Sequence, residues 1–235
     1  SLGLDDLYEF QPEDKIIEYK LADKNKKKLA DMTVSDFSDE TASESPAPGG
    51  GSVSAYMGSL GAALGTMVAN LSSHKRGWDD RCQEFSEWAE KGIECQSELT
   101  RLVDEDTDAF NKIMEAFKMP KQTDEEKAAR KEAIQEATKN AIMVPFRIMK
   151  TAHKSMEVIK AMAETGNPNS VSDAGVGALA ARAAVRGAFL NVKINSKDLD
   201  DKAYVDDTIK EGEEILKDAE KKEDEIIKIV ENTIS

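Results

Sequence analysis

Apolar residues in this chain recur at helical spacing and never convincingly at a period of two. Across residues 78–117 they step through Phe85, Trp88 and Ala89, Gly92, Cys95, Leu99, Leu102 and Val103, Phe110, Ile113 and Met114, and Phe117. Steps alternating between three and four predict one face of one long helix. Met119-Pro120-Lys121-Gln122 ends it, and Thr123-Asp124-Glu125-Glu126 opens the next helix as a capping box of Thr123 with Glu126. That helix runs to about residue 164, kinked by Pro145, and Gly166-Asn167-Pro168-Asn169 makes a turn. A last helix, over about 200–234, carries stripes at Ile215 and Leu216, Ala219, Ile226 and Ile227, Val230 and Ile234. Near the start, residues 33–45 form a short helix with Val34 and Phe37 facing inward.

Two segments have a different texture. Residues 45–73 contain no Asp, Glu, Lys or Arg, and 53–71 are apolar or small almost throughout, with Gly58, Gly61 and Gly65 closely spaced. Residues 174–195, opened by Ser172-Asp173, repeat the pattern with Gly175, Gly177, Gly187 and many alanines. The first is long enough to suggest a membrane span. Its Ala, Met and Leu are diluted by Gly, Ser, Thr and Asn, however, and the rest of the chain is polar. A helix apolar all round belongs equally at a bundle centre or a subunit interface, where glycines let backbones approach. The favoured reading is all-α: a bundle of long helices with two Gly/Ala-rich central helices, and no internal repeat. Residues 1–30 read as an N-terminal arm or interdomain linker, and 31–235 as one helical domain.

The chain has 235 residues and a formal charge of −14. Such acidity argues against generic nucleic-acid or anionic-membrane binding. The basic run at residues 24–28 reads as a solvated linker, and the acidic run at 211–225 as a solvated face. Two cysteines, Cys82 and Cys95, and two histidines, His74 and His153, make neither a disulfide framework nor a zinc site of standard spacing. Both cysteines are expected as small buried or half-buried groups in a reducing, cytoplasmic compartment. His74 falls in a loop and His153 on a helix. No basic stretch leads into an apolar one at the start, so no signal peptide is expected. The chain begins at Ser1 without a methionine, as either a trimmed chain or a piece of a longer protein would.

The long helix has one anomaly. The position completing the stripe between Leu102/Val103 and Phe110 is Asp106, while Asp104 and Asp108 fall off that face. A carboxylate there is costly unless paired or neutral. Burial would raise its pKa toward the range useful for moving protons; a structural carboxylate held by a helix end or an arginine is the plainer alternative. Pro48-Gly49-Gly50-Gly51-Ser52, ahead of a helix that Ser52 can cap, is either a cradle of backbone N–H groups for an anion or a plain turn. It is neither a Walker loop nor a dinucleotide fingerprint. Asp173 suits a helix N-terminus as a dipole complement. Asn191 and Asn195, four apart on one face, are ligand-facing amides or helix-end polar groups.

Several segments together resemble the cyclodeaminase/cyclohydrolase family of tetrahydrofolate enzymes. They are Pro46-Ala47-Pro48-Gly49-Gly50-Gly51-Ser52-Val53, Asp106-Thr107-Asp108-Ala109-Phe110, Gly166-Asn167 with Ser172-Asp173, and Asn191-Val192-Lys193-Ile194-Asn195. Residues 1–19 also resemble the segment joining the halves of bifunctional formimidoyltransferase-cyclodeaminase. The resemblance implies an all-helical homodimer with folate sites near the subunit interface. It implies conversion of 5-formimidoyltetrahydrofolate to 5,10-methenyltetrahydrofolate and ammonia, with no cofactor and no metal. It implies Asp106 as the catalytic acid–base, and Gly49, Gly50, Gly51, Ser52, Asp173, Asn191 and Asn195 as substrate-binding residues. A formimidoyltransferase domain or protein is the implied partner. The alternatives are methenyltetrahydrofolate cyclohydrolase, from the same family, and a non-enzymatic helical scaffold.

Overall fold

A computed structural model describes residues 28–235, and within them every regular element is helical. The six α-helices are α1 (Val34–Thr41), α2 (Gly50–Ser73), α3 (Cys82–Lys118), α4 (Asp124–Thr165), α5 (Val171–Asn195) and α6 (Lys202–Ile234). Local chemistry sets several boundaries. The Thr123–Glu126 capping box starts α4 as its sequence predicts, Asp201 caps α6 through the Tyr204 N–H, and Pro145 lies inside α4.

The two small-residue helices run antiparallel through the centre. A methyl group added at Gly61 of α2 would lie 2.8 Å from the Gly177 carbonyl oxygen and 3.0 Å from the Ala181 nitrogen, both of α5. Gly58 is where four helices meet, its would-be methyl touching Ala184 of α5, Leu99 of α3 and Ala152 of α4. Glycine is required here for close approach of backbones, not for its φ. On α5, Ala174, Ala178, Ala181, Ala184 and Ala188 are fully buried. Larger side chains fill the outer layers: Leu99 and Leu102 from α3, and Ile142, Ile148, Met149, Met156 and Ile159 from α4, all completely buried. Each such side chain contributes roughly 1.5–3 kcal/mol relative to exposure. Arg147 of α4 ties the flanks together, its guanidinium donating to Glu98 at 2.6 Å and Glu105 at 2.9 Å on α3.

Several expectations need correction. Val34 is 74% exposed, so only Phe37 turns inward, against Tyr56. Ser52 does not cap α2: the N-cap is Gly49, which has no side chain to offer, and Ser52 lies in the first turn. Cys95 is buried but Cys82 is exposed. The α3 stripe holds through Val103 and then rotates, burying Ala109 and Ala116 while Phe110, Met114 and Phe117 are exposed. Ile234 is exposed as well. The acidic run on α6 is not merely solvated: Glu211 pairs with Lys150, Glu220 and Glu223 with Arg182, and Glu225 with Lys160. His153 also meets α6, at Asp218 and Lys222, while His74 caps the end of α2. Leu29, at the boundary of the expected arm, is held by α3, its N–H donating to Asp104 Oδ1 at 2.7 Å. The segment 1–19 lies outside the described residues. Among those described, no helix is long and apolar enough to cross a membrane, which removes the membrane-span alternative for α2.

Candidate functional site

The antiparallel pairing sets the N-terminus of α2 beside the C-terminal end of α5, and α3 and α4 close the other sides. A pocket of about 120 Å³ opens there, below the usual ~300–1,000 Å³ of sites that enclose a whole small molecule, so it takes one part of a larger ligand. The segment before α2 supplies Pro46, Ala47 and Gly49, and α2 itself Gly50 and Gly51. From α3 come Asp106, Thr107, Phe110 and Ile113, from α4 Ala141, and from α5 Asn191 and Asn195.

Asp106 enters from the side onto the start of α2. Ser52 Oγ donates to its Oδ2 at 3.1 Å, and the Ser52 backbone N–H favours the charged form as well. The carboxylate therefore does for α2 what Gly49 cannot: it accepts from one N–H of the first turn, that of Ser52, and faces the positive end of the helix dipole. It lies so close that a methyl at Gly51 would sit 2.1 Å from Oδ1 and 2.5 Å from Oδ2. Burial nevertheless dominates and holds the carboxyl above its ordinary 3.8, with the Ser52 hydrogen bonds pulling the other way. A carboxyl whose charged form is disfavoured in this way is suited to accepting a proton and giving it back.

The candidate residues divide. Gly49, Gly50, Gly51, Asp106, Asn191 and Asn195 come together as lining of one pocket. Asn191 Nδ2 donates to the Gly187 carbonyl at 2.9 Å and Asn195 Nδ2 to the Ala141 carbonyl at 2.7 Å. These bonds fix both amides, and the second ties α5 to α4. Ser52 is fully buried and stands behind the carboxylate, away from the lining. Asp173 lies near the opposite end of α5, about 27 Å along the helix from Asn191 at ~1.5 Å rise per residue. The glycine cradle expected for a ligand anion holds the protein's own Asp106. Among the described residues, no cluster of three or more His, Cys, Asp and Glu could hold a metal ion.

Phe110 and Ile113 escape the sequence reading because their spacing assigns them to the core, whereas the rotation of the α3 stripe turns them to the pocket. Thr107 is missed for another reason: its Oγ1 lies 3.3 Å from Ser52 Oγ, a contact between helices. Its signal in the sequence is its place beside Asp106 in the Asp106-Thr107-Asp108-Ala109-Phe110 segment.

Comparison with known proteins follows the same lines. The family model described as formiminotransferase-cyclodeaminase matches residues 33–214. A methenyltetrahydrofolate cyclohydrolase of Methylorubrum extorquens is 39% identical over 203 residues, 86% of this chain and 98% of that one. The formimidoyltransferase-cyclodeaminase of Mus musculus is 36% identical over 219 residues, 93% of this chain. The alignment covers 40% of that bifunctional relative's length. Among solved structures, a formiminotetrahydrofolate cyclodeaminase from Thermotoga maritima superposes with a TM-score of 0.78 at 28% identity, covering 88% of this chain and all of that one.

Proposed function

Because the chain belongs to the formiminotransferase-cyclodeaminase family, we propose that it closes the ring of 5-formimidoyltetrahydrofolate, yielding 5,10-methenyltetrahydrofolate and ammonia. The observation that carries this reading is Asp106: a half-buried carboxyl on a pocket wall, held ready to exchange a proton. In the reaction, N10 of the folate attacks the formimidoyl carbon and must lose a proton. The former imino nitrogen must gain one before it departs. Asp106 accepts the first proton and supplies the second. Both reacting nitrogens belong to one bound molecule, so positioning by the pocket does much of the remaining work. Phe110 and Ile113 offer an apolar wall to the flat pterin or benzoyl rings. The proton transfers of this reading call on no added cofactor.

A second copy of the chain fits the uncovered face of the central pair. Leu60, Met67 and Leu71 on α2 and Val176, Leu179, Leu190 and Ile194 on α5 are 38–62% exposed. By helical spacing they lie opposite the buried stripes of the two helices, and residues 45–73 carry no charge to oppose association. Apolar residues exposed repeatedly along one helical face, here interrupted by Arg186 on α5, mark an interaction surface. Leu190 and Ile194 neighbour Asn191 and Asn195, so this homodimer would place two folate sites beside its interface. Asp173 reaches such a site only from a second copy. A formimidoyltransferase domain or protein, as in the bifunctional relatives, supplies the substrate. The two unpaired cysteines support a reducing, cytoplasmic setting.

The second reading is methenyltetrahydrofolate cyclohydrolase. The Methylorubrum relative favours it, because that protein has nearly the extent of this chain without a transferase half. One experiment separates the two. With 5-formimidoyltetrahydrofolate supplied, the cyclodeaminase reading expects methenyl absorbance to rise in step with ammonia. Loss of absorbance from supplied methenyltetrahydrofolate, with no ammonia from the formimidoyl compound, assigns the cyclohydrolase instead. The scaffold reading expects neither, and no folate-dependent rise in Tm.

A further inference from the structure

We propose that Thr107 is a second catalytic residue, which hands the proton to the departing nitrogen after receiving it from Asp106 through the buried hydroxyl of Ser52. The inference rests on the cyclodeaminase reading. Ser52 is fully buried, lies 3.1 Å from Asp106 Oδ2 and 3.3 Å from Thr107 Oγ1, and contributes nothing to the pocket lining. Asp106 and Thr107 both do. The three oxygens therefore form a short chain whose two end residues line the pocket and whose middle is sealed from water.

Such a chain has two orientations. While Asp106 is ionised it can only accept, so Ser52 donates to Asp106 and Thr107 donates to Ser52. Once Asp106 holds a proton it becomes a donor, and the order reverses. Asp106 then donates to Ser52 and Ser52 to Thr107, which frees the Thr107 proton to point into the pocket. Protonation at one end is thereby converted into a donor at the other.

The reaction needs such a transfer. The formimidoyl group enters as its amidinium cation. The N10–carbon bond forms, the proton on N10 passes to Asp106, and the former imino nitrogen becomes an amine on a tetrahedral carbon. Asp106 gives a proton to Ser52 Oγ, Ser52 gives its own to Thr107 Oγ1, and Thr107 gives its own to the amine. The carbon–nitrogen bond then breaks with its electron pair leaving on ammonia. The single positive charge remains on the methenyl ring, and all three side chains return to their starting state. The carboxyl need not move between two nitrogens on different sides of one carbon.

The test uses the full chain with 5-formimidoyltetrahydrofolate, following methenyl absorbance and ammonia. Thr107→Val keeps the shape and removes the proton; kcat should fall about 10²-fold, the lower range for a general acid, with KM within about threefold. Thr107→Ser should recover most of that loss. In H2O–D2O mixtures, wild-type kcat should bend with deuterium fraction, as expected of several protons moving, while Thr107→Val gives a straight line. The relay is overturned by any of three results: Thr107→Val keeps kcat within about threefold, Thr107→Ser is as impaired as Thr107→Val, or the wild-type plot is straight. If wild type releases no ammonia, the underlying reading fails and the relay with it. If Asp106→Asn is inactive while Thr107→Val is not, only the relay fails.

Discussion

Replacing Gly51 by alanine should cost activity without costing the fold. The added methyl would sit 2.1 Å from Asp106 Oδ1, 2.4 Å from Cγ and 2.5 Å from Oδ2, with no backbone atom among its nearest neighbours. Ordinary contact begins near 3.4 Å, so the carboxylate must retreat by about 1.3 Å. A side-chain terminus can do this by rotating toward the pocket. It gives up the 3.1 Å Ser52 bond but regains water, while alanine in a helix gains roughly 0.5–1 kcal/mol over glycine. These terms nearly offset, so Tm should move by no more than about 2–4 °C for a chain of this size. Catalysis is less forgiving, because a displacement of about 1 Å costs on the order of 10²-fold. A more solvated carboxyl is also easier to ionise, so the acidic limb of the rate–pH profile should shift to lower pH. The assay is methenyl formation across pH, with a thermal melt in the same buffer. Activity within about threefold of wild type at unchanged Tm would refute the geometry. A collapse of Tm would show that the methyl strikes the fold and not the carboxylate.

Gly61→Ala should behave oppositely. Its methyl meets the Gly177 carbonyl and the Ala181 nitrogen, which cannot rotate away, so thermal or denaturant melts should show a loss of about 1–3 kcal/mol from overpacking. Asp106→Asn should be inactive yet more stable at neutral pH. Burial raises the carboxyl above 3.8 in the folded state, so wild type loses stability as pH rises from 3.8 through the raised pKa, and the penalty is complete above it. The variant should therefore melt higher than wild type at pH 7 and converge with it near pH 4; equal Tm differences at both would contradict the burial argument. In light scattering wild type should have the mass of the proposed dimer, and Leu179→Glu together with Leu190→Glu that of a monomer, because two charges per chain would enter an apolar face; a monomeric wild type or an unchanged mass would remove that interface.

What the sequence determined by itself is the helical architecture and the one carboxyl that interrupts an apolar stripe. Periods of three and four located the long helices, the capping box at Thr123 located the start of α4, and the break in the α3 stripe singled out Asp106. These signals are local: they follow from 3.6-residue geometry and from hydrogen bonds among neighbouring residues. Tertiary structure alone decided what the polar groups do. Asp106, not a ligand, occupies the start of α2; Ser52 stands behind the carboxylate; Phe110 faces the pocket and not the core; and Asp173 lies at the wrong end of α5 for a site within one chain. Each depends on which helix crosses which, and at what rotation. That is set by the backbone contact of Gly61 with Gly177 and by the summed packing of the whole bundle, which no single stretch of chain encodes.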